Sequence, residues 1–456
     1  MSAIVRLLAP LRAHSHAALA SLAAPFLALP PSMGTLRQRI FCAHTTFWIF
    51  LFQVLAADKS CAEALRAFLA GLDLPPARLP APDTGAYCKA RARLRQSDLD
   101  AIALAQIRQL EASPAGQRRW LGRRVRVIDG TGLSMPDTPS NQAQWPQPKS
   151  QRAGCGFPVM RLVVIFGLAS GAALAWAKGS LAAAERPLSR LIWDTLAAGD
   201  VLLGDRGFCS FAEFVLLLGR GVDSVVRLHG RRDWRVRERL GKNDWLVEWT
   251  KSGPCPKTAT PEEWAAMPDT LRVRQVAITV DVPGWRSKTV MVATTLLEAK
   301  AFPARDLAEL YHRRWRAELF LRDLKITLGM DVLRCKTPAM IEKELTMLMA
   351  AYNLVRGLLG EAARACAGRW DRLGFKGALS ALRQWSARGS GGAGDPSSSL
   401  AAWAGLLQCI ARGKVPNRPG RSEPRARKRR PKNYPLLTKP RQQFVEIPHR
   451  NRYKIC

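Results

Sequence analysis

Between residues 123 and 228 short apolar segments alternate with turn residues, and their succession narrows the possible folds more than any other feature of the chain. Residues 123–129 alternate basic and apolar side chains, a strand pattern. Residues 133–158 are rich in Pro, Ser, Gln and Gly and read as a loop. The most apolar run, residues 162–177, is shorter than the ~20 residues of a membrane span. Arg161 and Lys178 bracket it and Ser170-Gly171 interrupts it, so it reads as two strands joined by a turn. Residues 187–198 form a helix candidate with proline in its first turn. A short buried strand at 201–204 runs into Asp205, followed by a helix candidate at 211–218 and a strand at 223–228.

The order β, β, β, α, β, α, β places the chain in the α/β class and is that of an RNase-H-like core, which needs one more helix to carry its last acid. Residues 229–300 interrupt that core with strand-like pieces at 244–250, 271–280 and 288–296 and read as an inserted β-rich module. Of its tryptophans (Trp234, Trp245, Trp249, Trp264, Trp285), most belong to a core, and one or two could stack on an exposed base. A long helical pattern covers 304–329 and a second one 340–364. The expected organisation is a leader at 1–34, a helical DNA-binding domain at 35–115, and a catalytic core from 120–228 and 301–330 around the insertion. A helical C-terminal region at 331–411 follows, with a Gly- and Ser-rich linker at 389–399, then a basic tail at 412–456.

The leader is Ala- and Leu-rich like a signal peptide, but Arg12, His14 and His16 break its apolar stretch, so it reads as helical or poorly ordered. Ser60 is the expected N-cap of a helix at 61–69, with Glu63 closing a capping box. Residues 84–95 read as a short basic helix with Lys89, Arg93 and Gln96 on one face, either solvated or laid against DNA.

Charge decides between classes of partner. Lys and Arg number 70 against 36 Asp and Glu, a net charge of +34, which suits a polyanion and not a small neutral substrate. The tail from Arg412 holds 15 Lys or Arg, clustered at Arg425, Arg427, Lys428, Arg429 and Arg430; in so basic a chain, contact with backbone phosphates is favoured over a merely solvated tail. The 10 cysteines form no C-x-x-C pair, which argues against zinc ribbons, zinc fingers and redox dithiols and for reduced thiols in a cytosolic protein. The motifs of ATP-binding loops, zinc proteases and serine hydrolases are all absent.

The chemistry concentrates around residue 318. Tyr311, Arg314, Glu318 and Lys325 stand at offsets 0, 3, 7 and 14. On one α-helix those offsets fall within an arc of roughly 60°. Arg314 and Glu318 taken alone are also an ordinary i, i+4 surface pair. Two further acids raise the weight of the functional reading: Asp129 at the expected end of a strand, before Gly130-Thr131, and Asp205 after a short apolar strand. A lone Asp there is most often a turn residue, but Asp129, Asp205 and Glu318 together make a carboxylate site for two Mg²⁺ or Mn²⁺ ions. Tyr311, Arg314 and Lys325 would then hold the flanking phosphates.

These residues resemble DDE transposases of the bacterial insertion-sequence-four family. The family signature Y-x2-R-x3-E-x6-K is met by Tyr311, Arg314, Glu318 and Lys325, and the acids in Val-Ile-Asp129-Gly-Thr131 and Leu-Leu-Gly-Asp205-Arg-Gly-Phe are similar to the family's. So are the stretches at 84–88 and 418–425, and the likeness spans roughly residues 35–445. The resemblance implies an RNase-H-like fold with a β-strand insertion before the last catalytic helix. It implies cleavage at the terminal inverted repeats of an insertion sequence and joining of the 3′-hydroxyl to target DNA. It also implies a homodimer in a paired-end complex on double-stranded DNA, and, where a hairpin forms, an aromatic platform for a flipped base, with Trp285 the candidate. A bacterial cytoplasmic, nucleoid-associated protein without membrane attachment is expected. The competing readings are a catalytically decayed transposase acting as a DNA-binding protein or repressor, and a metal-dependent nuclease on the same fold.

Overall fold

The computed structural model describes residues 17–33, 40–72, 81–229, 234–279, 289–366, 368–387, 396–416 and 434–445. Trp285, the cluster Arg425 to Arg430, most of the expected linker and the first half of the expected leader lie outside the described residues.

Nine strands form one mixed sheet: β1 (Val125–Ser134), β2 (Val159–Gly167), β3 (Ala173–Ser180), β4 (Val201–Gly204), β5 (Asp223–Arg227), β6 (Trp234–Gly241), β7 (Asp244–Thr250), β8 (Thr270–Thr279) and β9 (Thr289–Thr294). Their order is β3-β2-β1-β4-β5-β9-β8-β7-β6. β1, β4 and β5 run parallel. Antiparallel strands flank them on both sides. A parallel centre needs cover on both faces, and β4 is accordingly buried along its whole length.

The sequence expectation for β1 was too short. The sequence pattern ends the strand at Asp129, yet it continues to Ser134 because β2 supplies partners throughout, from Arg126↔Gly167 to Ser134↔Val159. Asp129 therefore stands inside a strand and not at its end. The hairpin strand β6 also escaped the sequence reading; Asn243, at φ 64°, makes the tight turn into β7. The strands of 229–300 continue the main sheet through Val226↔Ala293, and Trp249 is fully buried, with Trp245 and Trp264 packed against the same core. The expected loop at 133–158 carries a short helix, Pro139–Gln144, capped by Thr138.

Helices cover the sheet. The long helix Pro338–Ala365 is buried along most of its length and packs against Ala43–Leu55, Gln96–Ala112, Phe375–Ala387 and Pro396–Arg412. Ser60 caps its helix through Glu63 N–H at 3.1 Å, but the Ser60 N–H donates to Asp58 Oδ1 at 2.8 Å, so Asp58 takes the place Glu63 was expected to fill. The basic helix Thr84–Arg93 leaves Lys89 and Arg93 exposed. Gln96 is not on that face. An extended Leu94 breaks the helix, and Gln96 opens the next one, bonded to Asp100 at 2.7 Å and Thr346 at 2.9 Å. Arg91 turns inward, donating to Gln53 at 3.1 Å above the rings of Phe50 and Tyr87.

The single helix expected at 304–329 is broken into Ala304–His312, a 3₁₀ turn at Arg313–Trp315, Arg316–Arg322 and a π-turn at Asp323–Thr327. Buried packing fixes these breaks: Arg356 donates to Asp323 at 2.7 Å, and Phe320 lies 5.4 Å from Phe166 of β2. The tail is partly folded. Gly374 N–H donates to Gly413 O at 3.0 Å and Val415 N–H to Arg372 O at 2.7 Å. Further on, Leu437 N–H meets Cys155 O at 3.0 Å and Tyr434 stacks on Phe157 at 4.7 Å. All nine cysteines among the described residues are free thiols. Among the described residues no helix is long and apolar enough to cross a membrane.

Candidate active site

Backbone register brings the first two acids together. β1 and β4 pair in parallel through Val127↔Leu203. Asp129 and Asp205 each follow that pair two residues later, Asp129 still within β1 and Asp205 just past the end of β4. Asp129 Oδ1 accepts the Gly130 N–H at 2.8 Å, and Asp205 Oδ1 accepts the Gly207 N–H at 2.7 Å. Each local bond fixes a rotamer and leaves the second oxygen without a bond among the described residues.

Glu318 approaches from the helix Arg316–Arg322, which Ala317, Phe320 and Leu321 bury against the core. Its Oε1 accepts from Arg314 at 3.2 Å, and its side chain stays 42% exposed, open to a ligand. Burial pushes the Asp129 carboxyl up to about 6; the charges of Asp205 and Glu318 add to that rise, while the Gly130 N–H and Arg314 oppose it. The three carboxylates and Arg314 thus share one electrostatic neighbourhood.

Tyr311 is buried beside Arg314, whose guanidinium lies 5.9 Å from the ring centroid. Burial raises its phenol above the ordinary value, with Asp205 contributing and Arg314 and Arg227 opposing. Lys325 arrives by another route than the expected helical stripe. It sits in the π-turn, and its Nζ donates to Thr131 Oγ1 at 2.8 Å. Sequence reasoning named Thr131 as part of a motif but gave it no role. Asp129, Asp205, Tyr311, Arg314 and Glu318 are linked by bonds or by mutual charge, and the Lys325–Thr131 pair stands two residues beyond Asp129 along β1. Lys89 and Arg93 lie on the separate helix Thr84–Arg93.

The donor set is chemically that of a hard divalent cation: three carboxylates, no thiol or imidazole. Among the described residues no three such side chains already stand close enough together to grip an ion.

Residues 120–354 match the family model described as the transposase DDE domain. The chain is 26% identical over 412 residues to the transposase InsG for insertion sequence element IS4 of Escherichia coli (strain K12), covering 89% of each chain. It is 27% identical over 292 residues to the transposase for insertion sequence element IS421 of Escherichia coli, covering 57% of this chain and 72% of that one. Among solved structures, the piggyBac transposase synaptic complex with hairpin DNA aligns over 91% of this chain and 84% of that chain, at 11% identity and a TM-score of 0.41.

Proposed function

Since the chain belongs to the DDE transposases, and is thereby a DNA transposase of the insertion-sequence-four type, we propose that Asp129, Asp205 and Glu318 are its catalytic acids and that it cuts at the terminal inverted repeats of its element. The observation that carries this reading is the shared electrostatic neighbourhood of the three carboxylates: Asp129 and Asp205 follow neighbouring parallel strands, and Glu318, paired with Arg314, acts on Asp129 by its charge. The strand order β3-β2-β1-β4-β5 with three antiparallel and two further parallel members supports an RNase-H-like core, with the segment from β6 to β9 as its insertion.

Asp129, Asp205 and Glu318 would hold divalent ions, two Mg²⁺ or Mn²⁺. Bound there, the ions supply Lewis acidity to the scissile phosphate and lower the pKa of a water or 3′-hydroxyl. The protein's own part is orientation and charge. Arg314 keeps Glu318 in place and tempers the rise of Asp129. Lys325, fixed on Thr131, presents an ammonium two residues beyond Asp129 along β1 and suits a phosphate oxygen next to the cut. Tyr311 stays protonated and can donate to a phosphate from its buried position.

The substrate is double-stranded DNA, and the 3′-hydroxyl ends are joined to target DNA by a homodimer on paired ends, in the bacterial cytoplasm at the nucleoid. Lys89, Arg93 and the cluster from Arg425 to Arg430 add backbone contacts. Trp285 is the proposed platform for a flipped base. A nicking and strand-transfer assay with purified protein, Mg²⁺ or Mn²⁺, and DNA carrying the repeats beside its own gene tests the reading. Metal-dependent cuts at the repeat boundary, lost in Glu318→Gln with DNA binding retained, are expected. Binding without cutting in any metal would leave a decayed transposase, and cutting without regard to the repeats a general nuclease.

A further inference from the structure

The helical segment that carries Glu318 also borders a cavity of about 70 Å³ outside the carboxylate cluster. Five guanidiniums line it, those of Arg118, Arg119, Arg313, Arg316 and Arg369, against the one carboxylate of Asp371. That carboxylate is already engaged. It accepts from Arg369 at 3.1 and 2.9 Å and from Arg316. Burial works to raise it, but these two cations outweigh burial and hold it at about 2. Arg119 is engaged as well, donating to Gln117 O at 2.9 Å.

Arg118 and Arg313 are different. Among the described residues neither side chain makes a hydrogen bond or ion pair. Arg313 is half-buried, and its guanidinium is held below its ordinary value by burial first, then by the charge of Arg316, with Arg369 adding to the fall and Asp371 opposing it. Asp371 is one carboxylate among five arginines, so the cavity keeps an excess of positive charge that a further anion would offset. The floor is rigid: the Trp370 indole donates to Ala169 O at 2.6 Å, and Arg316 lies 5.9 Å over its ring. A water needs ~10–15 Å³ of such space, so the cavity has room for several waters or one phosphate group in their place.

We propose that this cavity is a second phosphate subsite, which holds a backbone phosphodiester of the bound DNA apart from the phosphate that is cut. The inference rests on the transposase reading for its ligand. The placement follows from the helix: Arg314 faces Glu318 and Asp129, whereas the preceding Arg313 faces Arg316, Arg369 and Asp371. Arg313 and Arg314 are consecutive in the 3₁₀ turn Arg313–Trp315, so the two sites border the same short segment. A strand held at both would have its path through the carboxylates set by the chain itself.

The test uses the full-length protein and an end duplex scanned with single methylphosphonates, each of which removes one phosphate charge. In the wild type one position apart from the cut should weaken binding. In Arg118→Ala/Arg313→Ala that position should cease to matter, and the slope of log affinity on log salt should fall by about 0.9, for the one phosphate the site holds. Arg118→Ala alone, an exposed side chain, should lower it by a part of that amount. An unchanged slope with no coupled position overturns the subsite, and nicking, measured separately, then still stands for the function. A coupled position without nicking keeps the subsite and removes the function. If inorganic phosphate raises the thermal midpoint of the wild type but not of the double variant, and the DNA slope is unchanged, the site takes a free anion and the DNA assignment is wrong.

Discussion

Lys325 Nζ donates to Thr131 Oγ1 at 2.8 Å, tying the π-turn after the Glu318 helix to β1 two residues beyond Asp129. The bond holds a long, mobile side chain in one place. A hydrogen bond to a charged group contributes ~1.5–3 kcal/mol, so Thr131→Val should slow nicking by roughly 10- to 100-fold. Thr131→Ser keeps the hydroxyl and should retain most of the rate. Thermal midpoints of both variants should stay near the wild type, because Thr131 is only half-buried. Equal rates in Thr131→Val and wild type would leave Lys325 positioned by something else.

Arg314 pairs with Glu318 and acts on Asp129 from the same place. Arg314→Gln should therefore reduce the cleavage rate far more than DNA affinity, by about 100-fold or more for a group acting in the charged site. Arg314→Lys keeps the charge but not the fork that spans Glu318 and Tyr311, and should recover only part of the rate. Loss of affinity in proportion to rate would make Arg314 a plain phosphate contact.

Much of the site was legible because local pattern and chemistry coincide there. Asp205 follows a strand of four buried residues, and the spacing of Arg314 and Glu318 needs only one helical turn. The length of β1 was not legible, since the alternation of basic and apolar residues stops at Asp129 and only pairing with β2 carries the strand on to Ser134. Nor was the union of β5 with β9, which joins residues more than sixty apart, as in Val226↔Ala293. The kinks at Arg313–Trp315 and Asp323–Thr327 come from tertiary bonds such as Arg356–Asp323, which no helical period records. Arg91 lies in a stretch legible only as a basic helix, and Gln53, Phe50 and Tyr87 around it show why it is buried.

The folded parts of the tail change where it should be cut. Removing residues from Arg412 onward would take away Gly413 and Val415, which bond to Gly374 and Arg372. Ending the chain after Pro416 spares those bonds and removes 13 Lys or Arg, including Arg441, which donates to Asp137 at 3.0 Å. That truncation should weaken binding to all duplex sequences and flatten the salt dependence. It should also raise protease sensitivity in the 137–157 segment that Tyr434, Leu437 and Arg441 cover. Unaltered proteolysis there would mean the tail does not dock in solution.

Lys59 offers a test of the fold that is independent of DNA. Its ammonium is buried and donates to Val54 O at 2.8 Å and Ala56 O at 2.9 Å, at the C-terminal end of the helix Ala43–Leu55. Burial, then the nearby charges of Arg383 and Arg334, lower its pKa from 10.5 to about 8. Between those two values the unfolded chain binds more protons at this site than the folded one, so stability rises with pH there. Below about 8 both states are protonated, and the cost of the buried charge is present in full. Lys59 should thus add stability on the order of 2–3 kcal/mol as pH climbs from 8 toward 10.5. Lys59→Met carries no titrating group, so subtracting its denaturation profile from that of the wild type isolates the effect. The difference between the two should shift in favour of the wild type across that window. A flat difference would mean that the Lys59 ammonium is as well solvated in the folded chain as in the unfolded one.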